Sequence, residues 1–217
     1  MGHTFVVGDL HGCYDELLAL LEGARFAADD RLICVGDLVT KGEKSREVLE
    51  LFMSDARFAA VLGNHDRALL AYWRGELEKK ELKRAQRKCA KQLKDGRERY
   101  AAYLATLPPY IDLGSHVVVH AGLRPGVALE EQSLEDLTEL RTLGEDRASR
   151  EGERWYKVYD GEKFALFGHW PSKAWPRRGP RALGLDTGCV YGNRLTAYVV
   201  ETGAIHSVPA LRAYDTK

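Results

Sequence analysis

Asp9 and His11 stand one residue apart between Gly8 and Gly12, where the apolar run Phe5-Val6-Val7 stops. A carboxylate and an imidazole at i and i+2 on a sharp turn can converge on one cation. A hard oxygen paired with a nitrogen of intermediate softness suits manganese, iron or zinc better than calcium. Further stretches repeat the arrangement. Gly36-Asp37 follows Leu32-Ile33-Cys34-Val35, Gly63-Asn64-His65-Asp66 follows the run 58–62, His120-Ala121-Gly122 follows 116–119, and Gly168-His169 follows 164–167. Each alone is also an ordinary polar turn, and a lone His after a strand commonly hydrogen-bonds a nearby carbonyl. Their recurrence favours one shared metal-dependent site.

Such donors meet only if the elements before them run side by side. The β-branched and aromatic runs at 5–7, 31–35 and 58–62 read as buried strands. Between them, Leu17, Leu18 and Leu21 share one helical face up to Gly23, and a second helix passes through 46–52. Strand, ligand-rich turn and helix therefore alternate, which predicts parallel strands with functional side chains at their C-terminal edge. From Ala68 to Tyr103 the chain turns strongly charged and helical, rich in Lys between Lys79 and Lys94. Such a run reads as a solvated helix face or as a cap that draws a polyanion toward the site. Pro108-Pro109 closes it. Residues 110–120 read as a β-hairpin, and 182–208 as an antiparallel meander. The expected architecture is α/β, two facing mixed sheets flanked by helices in one domain over 1–217, with a charged helical insertion at about 68–107.

Composition limits the setting. The 217 residues carry 32 Lys and Arg against 32 Asp and Glu, so no global charge argues for nucleic acid or an anionic membrane surface. Met1-Gly2-His3-Thr4 runs into the first strand without a basic, apolar leader, and nothing approaches a transmembrane span. Cys13, Cys34, Cys89 and Cys189 lie far apart with no Cys-x-x-Cys pair, which suits a reduced, cytoplasmic setting. They read as packing residues, with Cys13 and Cys189 placed beside the candidate motifs. His3, His116 and His206 lack the strand-end context and read as structural.

Asp9-x-His11, Gly36-Asp37 with Val39-x-Lys41-Gly42, Gly63-Asn64-His65-Asp66, His120-Ala121-Gly122 and Gly168-His169 stand in the order and approximate spacing of one known group. They resemble the phosphoprotein phosphatase branch of the calcineurin-like metallophosphoesterases, over nearly the whole chain. Within it, Gly12-Cys13-Tyr14-Asp15-Glu16-Leu17, Asp66, Phe167-Gly168-His169-Trp170 and Leu185-Asp186-Thr187-Gly188-Cys189 resemble the bacterial ApaH type, the symmetrical diadenosine tetraphosphatases and their relatives. The resemblance implies the metallophosphoesterase sandwich and two divalent cations, manganese first, with cobalt, iron or zinc as alternatives. It implies that Asp9 and His11 hold one cation, that Asn64, His120 and His169 hold the other, and that Asp37 bridges both. Two cations at ~3.5–4 Å would share a hydroxide, the pKa of water falling from ~15.7 to ~7 on a metal.

By the same resemblance His65 protonates the leaving oxygen, while Lys41 and Arg141 hold nonbridging phosphate oxygens. Many protein phosphatases carry Asp-Arg where this chain has Thr40-Lys41. Thr40 has no charge to hold an imidazolium, so something else must orient His65, or it is a weaker acid. Lys41 keeps the charge without the bidentate fork. Arg141, in Leu140-Arg141-Thr142-Leu143, also fits a surface helix.

The implied activity is hydrolysis of dinucleoside polyphosphates, diadenosine tetraphosphate to two ADP, extending to nucleotide-capped RNA ends without a stable nucleic-acid complex. The alternatives are a protein serine/threonine or tyrosine phosphatase on the same centre, and a non-catalytic binding module, which the complete donor set disfavours. Tyr14, Trp170, Trp175 or Tyr191 are candidates to stack a purine.

Overall fold

A computed structural model describes residues 2–216 of the chain. In chain order the elements are β1 (Thr4–Val7), α1 (Tyr14–Gly23), β2 (Arg31–Cys34), α2 (Ser45–Ser54), β3 (Phe58–Ala60), α3 (Asn64–Arg74), α4 (Arg84–Gln92) and α5 (Arg97–Leu104). Next come β4 (Tyr110–Asp112), β5 (His116–Val119), α6 (Leu134–Glu139), α7 (Trp155–Val158), β6 (Phe164–Phe167), β7 (Arg177–Arg178), β8 (Ala182–Gly184), β9 (Arg194–Val199) and β10 (Ile205–Pro209).

Strand periodicity decides the layering. Along β1 and β2, Val6 and Ile33 face one side, while Phe5, Val7, Leu32 and Cys34 face the other. Val6, Ile33, Val35 and Val61 meet Val118, Leu166, Leu183 and Leu185 between two sheets. Burying each such side chain is worth ~1.5–3 kcal/mol, against a whole β-propensity scale spanning ~1 kcal/mol. The sandwich interior, not propensity, therefore fixes which face turns inward.

On the outer face of the first sheet, Phe5 and Val7 pack with Leu17, Leu20, Leu49, Phe52, Leu69 and Leu104. On the outer face of the second, Val117, Val119, Ala165 and Phe167 pack with Leu137, Trp155 and Tyr156. Trp155 and Phe167 meet edge to face at 4.8 Å between centroids. The layers run helices, sheet, sheet, helices, as expected.

The first sheet has the order β10-β9-β1-β2-β3 and the second β4-β5-β6-β8-β7. Within the first, β1, β2 and β3 are parallel, with Val6 opposite Ile33 and Ile33 opposite Ala59. Within the second, β5, β6 and β8 are parallel, with Val118 opposite Leu166 and Leu166 opposite Leu183. Antiparallel strands flank both runs.

The expected meander over 182–208 is thus corrected. Only β9 and β10 form a hairpin; β8 belongs to the other sheet, where Leu183 fills the sandwich interior. The stretch 185–193 crosses between sheets and is far longer than a tight hairpin turn.

The charged stretch is helical but falls into separate helices, broken between Gly75 and Lys83 and again by a short 3₁₀ turn over Lys94–Gly96. Cys89, Leu93, Tyr100 and Leu104 bury its apolar stripe against the first sheet's helical layer. Among the described residues no helix is long and apolar enough to cross a membrane.

Candidate active site

Each parallel run ends in chemistry. β1, β2 and β3 lead into Asp9 and His11, Asp37, and Asn64 and His65; β5, β6 and β8 lead into His120, His169 and Asp186. All of these except the fully buried His120 line one cavity of about 400 Å³.

The backbone bends sharply to present them. His11 (φ 46°), Asp37 (53°), Thr40 (76°), Lys41 (63°) and His169 (63°) all adopt left-handed conformations, leaving Arg25 as the one other non-glycine residue to do so among those described. Each costs ~1–3 kcal/mol and persists only where neighbours hold it. The buried Asp66 does much of the holding, accepting the N–H groups of Gly63 at 3.1 Å and of Leu38 and Val39 at 3.3 Å. Two glycines leave room for the donors. A Cβ on Gly36 would lie 2.8 Å from His120 Nδ1, and one on Gly168 only 2.0 Å from Asp9 Oδ1.

The donor atoms converge on Asp37. Its Oδ2 lies 3.4 Å from His11 Nε2, and its Oδ1 lies 3.6 Å from His120 Nε2 while accepting the His65 N–H at 2.8 Å. Asp9 Oδ2 is 4.0 Å from His11 Nε2, and the Asp9 carboxylate accepts the His169 N–H at 3.1 Å. Two donor triads, His11/Asp37/His65 and Asp9/Asp37/His120, each have all ligating atoms within 4.8 Å of one another and share Asp37. His120 Nε2 and His169 Nδ1 both stand 3.0 Å from Asn64 Oδ1.

This donor set fits cations. His11 donates its Nδ1 proton to the Val39 carbonyl at 3.0 Å and His120 donates its own to Val35 at 2.9 Å, so both Nε2 lone pairs are turned toward Asp37. The lone pair of His120 therefore faces the carbonyl oxygen of Asn64, an opposition that a cation between them resolves. A cation already stands at the His11 end: the Lys41 ammonium donates to His11 Nε2 at 2.6 Å.

Electrostatics agree with the geometry. Burial, then Asp186 and Asp37, push Asp9 well above the usual carboxylate range. Burial raises Asp37 to about 6 although Lys41 opposes it, and raises Asp66 to about 7 with help from Asp37. Burial lowers His120 to about 4 and, with Lys41, holds His11 and His65 well below the ordinary imidazole value. The site thus gathers neutral imidazoles beside carboxylates whose ionisation burial opposes, and added positive charge would favour their ionised forms.

Residues 2–200 match the calcineurin-like phosphoesterase family. The chain belongs to the calcineurin-like phosphoesterase family. It is similar to the asymmetrical bis(5'-nucleosyl)-tetraphosphatase PrpE of Bacillus subtilis strain 168, 30% identical over 97% of this chain and 96% of that one. It is similar at 30% identity to the symmetrical bis(5'-nucleosyl)-tetraphosphatase of Pseudomonas entomophila strain L48, over 96% and 94% of the two chains. A solved structure whose assignment as a diadenosine tetraphosphatase is provisional matches with a TM-score of 0.82 at 32% identity, covering 96% of this chain and 94% of that one. Membership brings phosphoesterase activity and a dinuclear divalent metal centre.

In this phosphoesterase the residues singled out from sequence come together, with corrections at the periphery. The expectation that something other than Thr40 orients His65 is corrected: the Thr40 hydroxyl lies 2.8 Å from His65 Nδ1, a neutral partner where a charge was sought. His65 also stands beside the donors, a ring nitrogen within 4.8 Å of ligating atoms of His11 and Asp37. Arg141 is not on a surface helix. It comes after α6 on the cavity wall, half-buried, donating to the Ala148 carbonyl at 3.0 Å.

Trp170 is buried between Tyr156 and the guanidinium of Arg177, 4.8 Å from its ring, and does not line the cavity; Trp175 is exposed away from it. Tyr14 lines a different cavity, whereas Tyr191 lines this one, its ring centre 5.3 Å from Lys41 Nζ. The cavity adds Arg150 and Asp186, to which the sequence alone assigns no role, and Lys83 and Arg84 from the charged stretch that the sequence offers as a polyanion cap.

Proposed function

We propose that this phosphoesterase hydrolyses dinucleoside polyphosphates, with diadenosine tetraphosphate as substrate and ADP as the main product. The observation that carries the reading is the set of cations around the donor cluster. Lys41 comes from the loop after β2, Lys83 and Arg84 from the start of α4, and Arg141 and Arg150 from the loop after α6. A peptide phosphomonoester brings roughly two charges to one point. A tetraphosphate brings several along an extended chain, which cations on separate walls can grip on either side of the reacting phosphorus. The relatives named as bis(5'-nucleosyl)-tetraphosphatases support this substrate class.

Asp9, His11 and Asp37 would hold one dication, and Asp37, Asn64, His120 and His169 the other. Bound there, two manganese ions supply a water of lowered pKa and neutralise phosphate oxygens. Asn64 contributes a neutral oxygen, so more of the cations' charge stays available to phosphate.

His65 is the residue aimed at the leaving oxygen. Thr40 Oγ1 lies 2.8 Å from Nδ1 of this cavity-lining residue; with the hydroxyl as donor, Nε2 carries the proton. Burial, then Lys41, keeps this imidazole neutral, so it is a hydrogen-bond donor and a weak acid. A departing ADP oxygen is already a stable anion and needs little more, whereas a serine alkoxide needs a full proton. The weak acid therefore suits an anhydride better than a phosphoserine. Tyr191 is placed to stack a base, and the setting is cytoplasmic.

The test is a comparison of kcat/KM for diadenosine tetraphosphate, a nucleotide-capped RNA and a phosphopeptide panel at matched manganese and pH, with products separated. The dinucleotide is expected to lead by a wide margin and to lose efficiency with added salt, which screens long-range attraction. Equal efficiency on phosphopeptides overturns the substrate class. ATP plus AMP in place of ADP overturns only the symmetric cut.

A further inference from the structure

A second cluster lies behind the loop after β1, and the phosphoesterase chemistry makes no use of it. Cys13 precedes α1, Glu16 stands in that helix's first turn, and Cys189 sits in the crossing after β8. All three are buried, and their two sulfurs and a carboxylate oxygen lie within 4.8 Å of one another. Glu16 is 1% exposed. Its Oε1 accepts the Tyr214 hydroxyl at 2.7 Å and the Leu211 N–H at 3.0 Å, but its buried Oε2 has no partner.

A buried carboxylate oxygen left unpaired is costly, and two weak S–H donors that bond each other do little to relieve it. Cys34 provides the contrast. It donates to the Gly36 carbonyl at 3.2 Å, as a packed structural thiol does. A cavity of about 370 Å³, lined by Glu16, Tyr14, Lys44 and Tyr214 among others, reaches the Glu16 side of the cluster.

We propose that Cys13, Glu16 and Cys189 form a binding site for a divalent cation of the zinc class, separate from the phosphoesterase centre. Two sulfurs select a softer ion than the oxygen-rich centre does. The unpaired Oε2 supplies the third ligand, and a fourth position remains for water. Binding converts two thiols to thiolates and releases two protons, with no change of oxidation state. The bound set then carries a net charge of about −1, as in a Cys₃His zinc site. The ion clamps the start of α1, just past His11, to the loop after Asp186, and Tyr214 ties the C-terminal segment to the same carboxylate.

The test uses the full, reduced, metal-free chain carrying Asp37→Asn, which weakens the neighbouring centre, titrated with cobalt. A thiolate-to-cobalt charge-transfer band reports sulfur ligands alone, and the phosphoesterase centre has none. The band is expected to saturate at one ion per chain, to bleach when zinc is added, to vanish in Cys189→Ser, and to need at least ~10-fold more cobalt in Glu16→Gln. X-ray absorption of the bound cobalt is expected to count two sulfurs, a reading that stands even if a cysteine variant fails to fold. No band in the folded protein, a band that survives Cys13→Ser/Cys189→Ser, or a Cys13–Cys189 disulfide that resists reductant overturns the proposal. None of these outcomes bears on the dinucleotide activity, which is assayed separately on the unsubstituted chain.

Discussion

The two sheets are built alike and furnished differently. Each holds three adjacent parallel strands whose C-terminal ends supply the site. In the first sheet each such strand is followed by a helix, α1, α2 or α3, with Asp9 and Asp37 in the connecting loops and Asn64 opening α3 itself. In the second, His120, His169 and Asp186 are succeeded by long irregular loops. The crossing after Asp186 carries Tyr191 to the cavity, and the loop after α6 carries Arg141 and Arg150. The helix-anchored side fixes charge at the reacting centre, and the loop side shapes the wall that meets the rest of the substrate. A shared architecture thus does not impose a shared task; the segment attached to the end of each strand does.

The sharpest way to break this contrast is Asp37→Asn. Asp37 faces His11 through one oxygen and His120 through the other, so its loss is expected to lower kcat/KM more than ~10³-fold. Elemental analysis should show reduced metal content and circular dichroism an intact fold. Two tightly held metals at near wild-type rate would remove Asp37 from its role.

His65→Ala comes next, with metal content retained. Its loss is expected to grow with leaving-group pKa across a series of aryl and alkyl phosphates, reaching ~10²–10⁴ for the poorest. A loss independent of the leaving group would mean that His65 does not act on the leaving oxygen.

Asp186→Asn sharpens the comparison from the other sheet. Asp186 lies beside Asp9, whose pKa it raises after burial. Removing its charge is expected to cost ~10–100-fold in metal affinity or rate, as for groups that tune a centre from behind its ligands. A defect as deep as that of Asp37→Asn, measured in parallel, would erase the division between the sheets.

The smallest effect on turnover is expected at Asp136, which anchors the loop side through Arg124 at 2.7 Å and Arg147 at 2.9 Å. Burial works to raise its pKa, but bonds from Arg124 and Ser133 outweigh that and hold it below the ordinary carboxylate value of 3.8. A depressed folded pKa contributes stability that is present above the unfolded value and lost as pH falls through the folded one. Asp136→Asn is therefore expected to cost ~1–3 kcal/mol near neutrality, with the gap in urea midpoints closing below about pH 4. A gap that persists at lower pH would assign the loss to shape and not to charge.

The candidate donors that the structure brings together were the most legible part of the sequence. Asp9, His11, Asp37, Asn64, His120 and His169 each announce themselves locally, as a donor beside or near a glycine at the end of an apolar run. The sandwich was legible for a similar reason, since its inward faces keep a period of two. Asp186 was missed because β8's choice of partner is not local: a short strand before a glycine-rich crossing reads like part of a meander until Leu183 is seen opposite Leu166. Lys83, Arg84 and Arg150 stand in charged stretches, and only packing brings them to the cavity. The bond from Thr40 to His65 depends on a left-handed backbone at 40 that no neighbouring residue foretells.

That left-handed backbone sets selection for robustness against selection for turnover. At positions 37, 40, 41 and 169 the chain holds L-residues where glycine would relax the conformation, and Thr40 is β-branched besides. A laboratory library sorted for heat resistance alone would be drawn toward glycine or asparagine at these positions. Its winners would be well-behaved and inert. Any campaign to harden this enzyme has to look for gains elsewhere, in the outer helical layers, and leave the bent loops their tension.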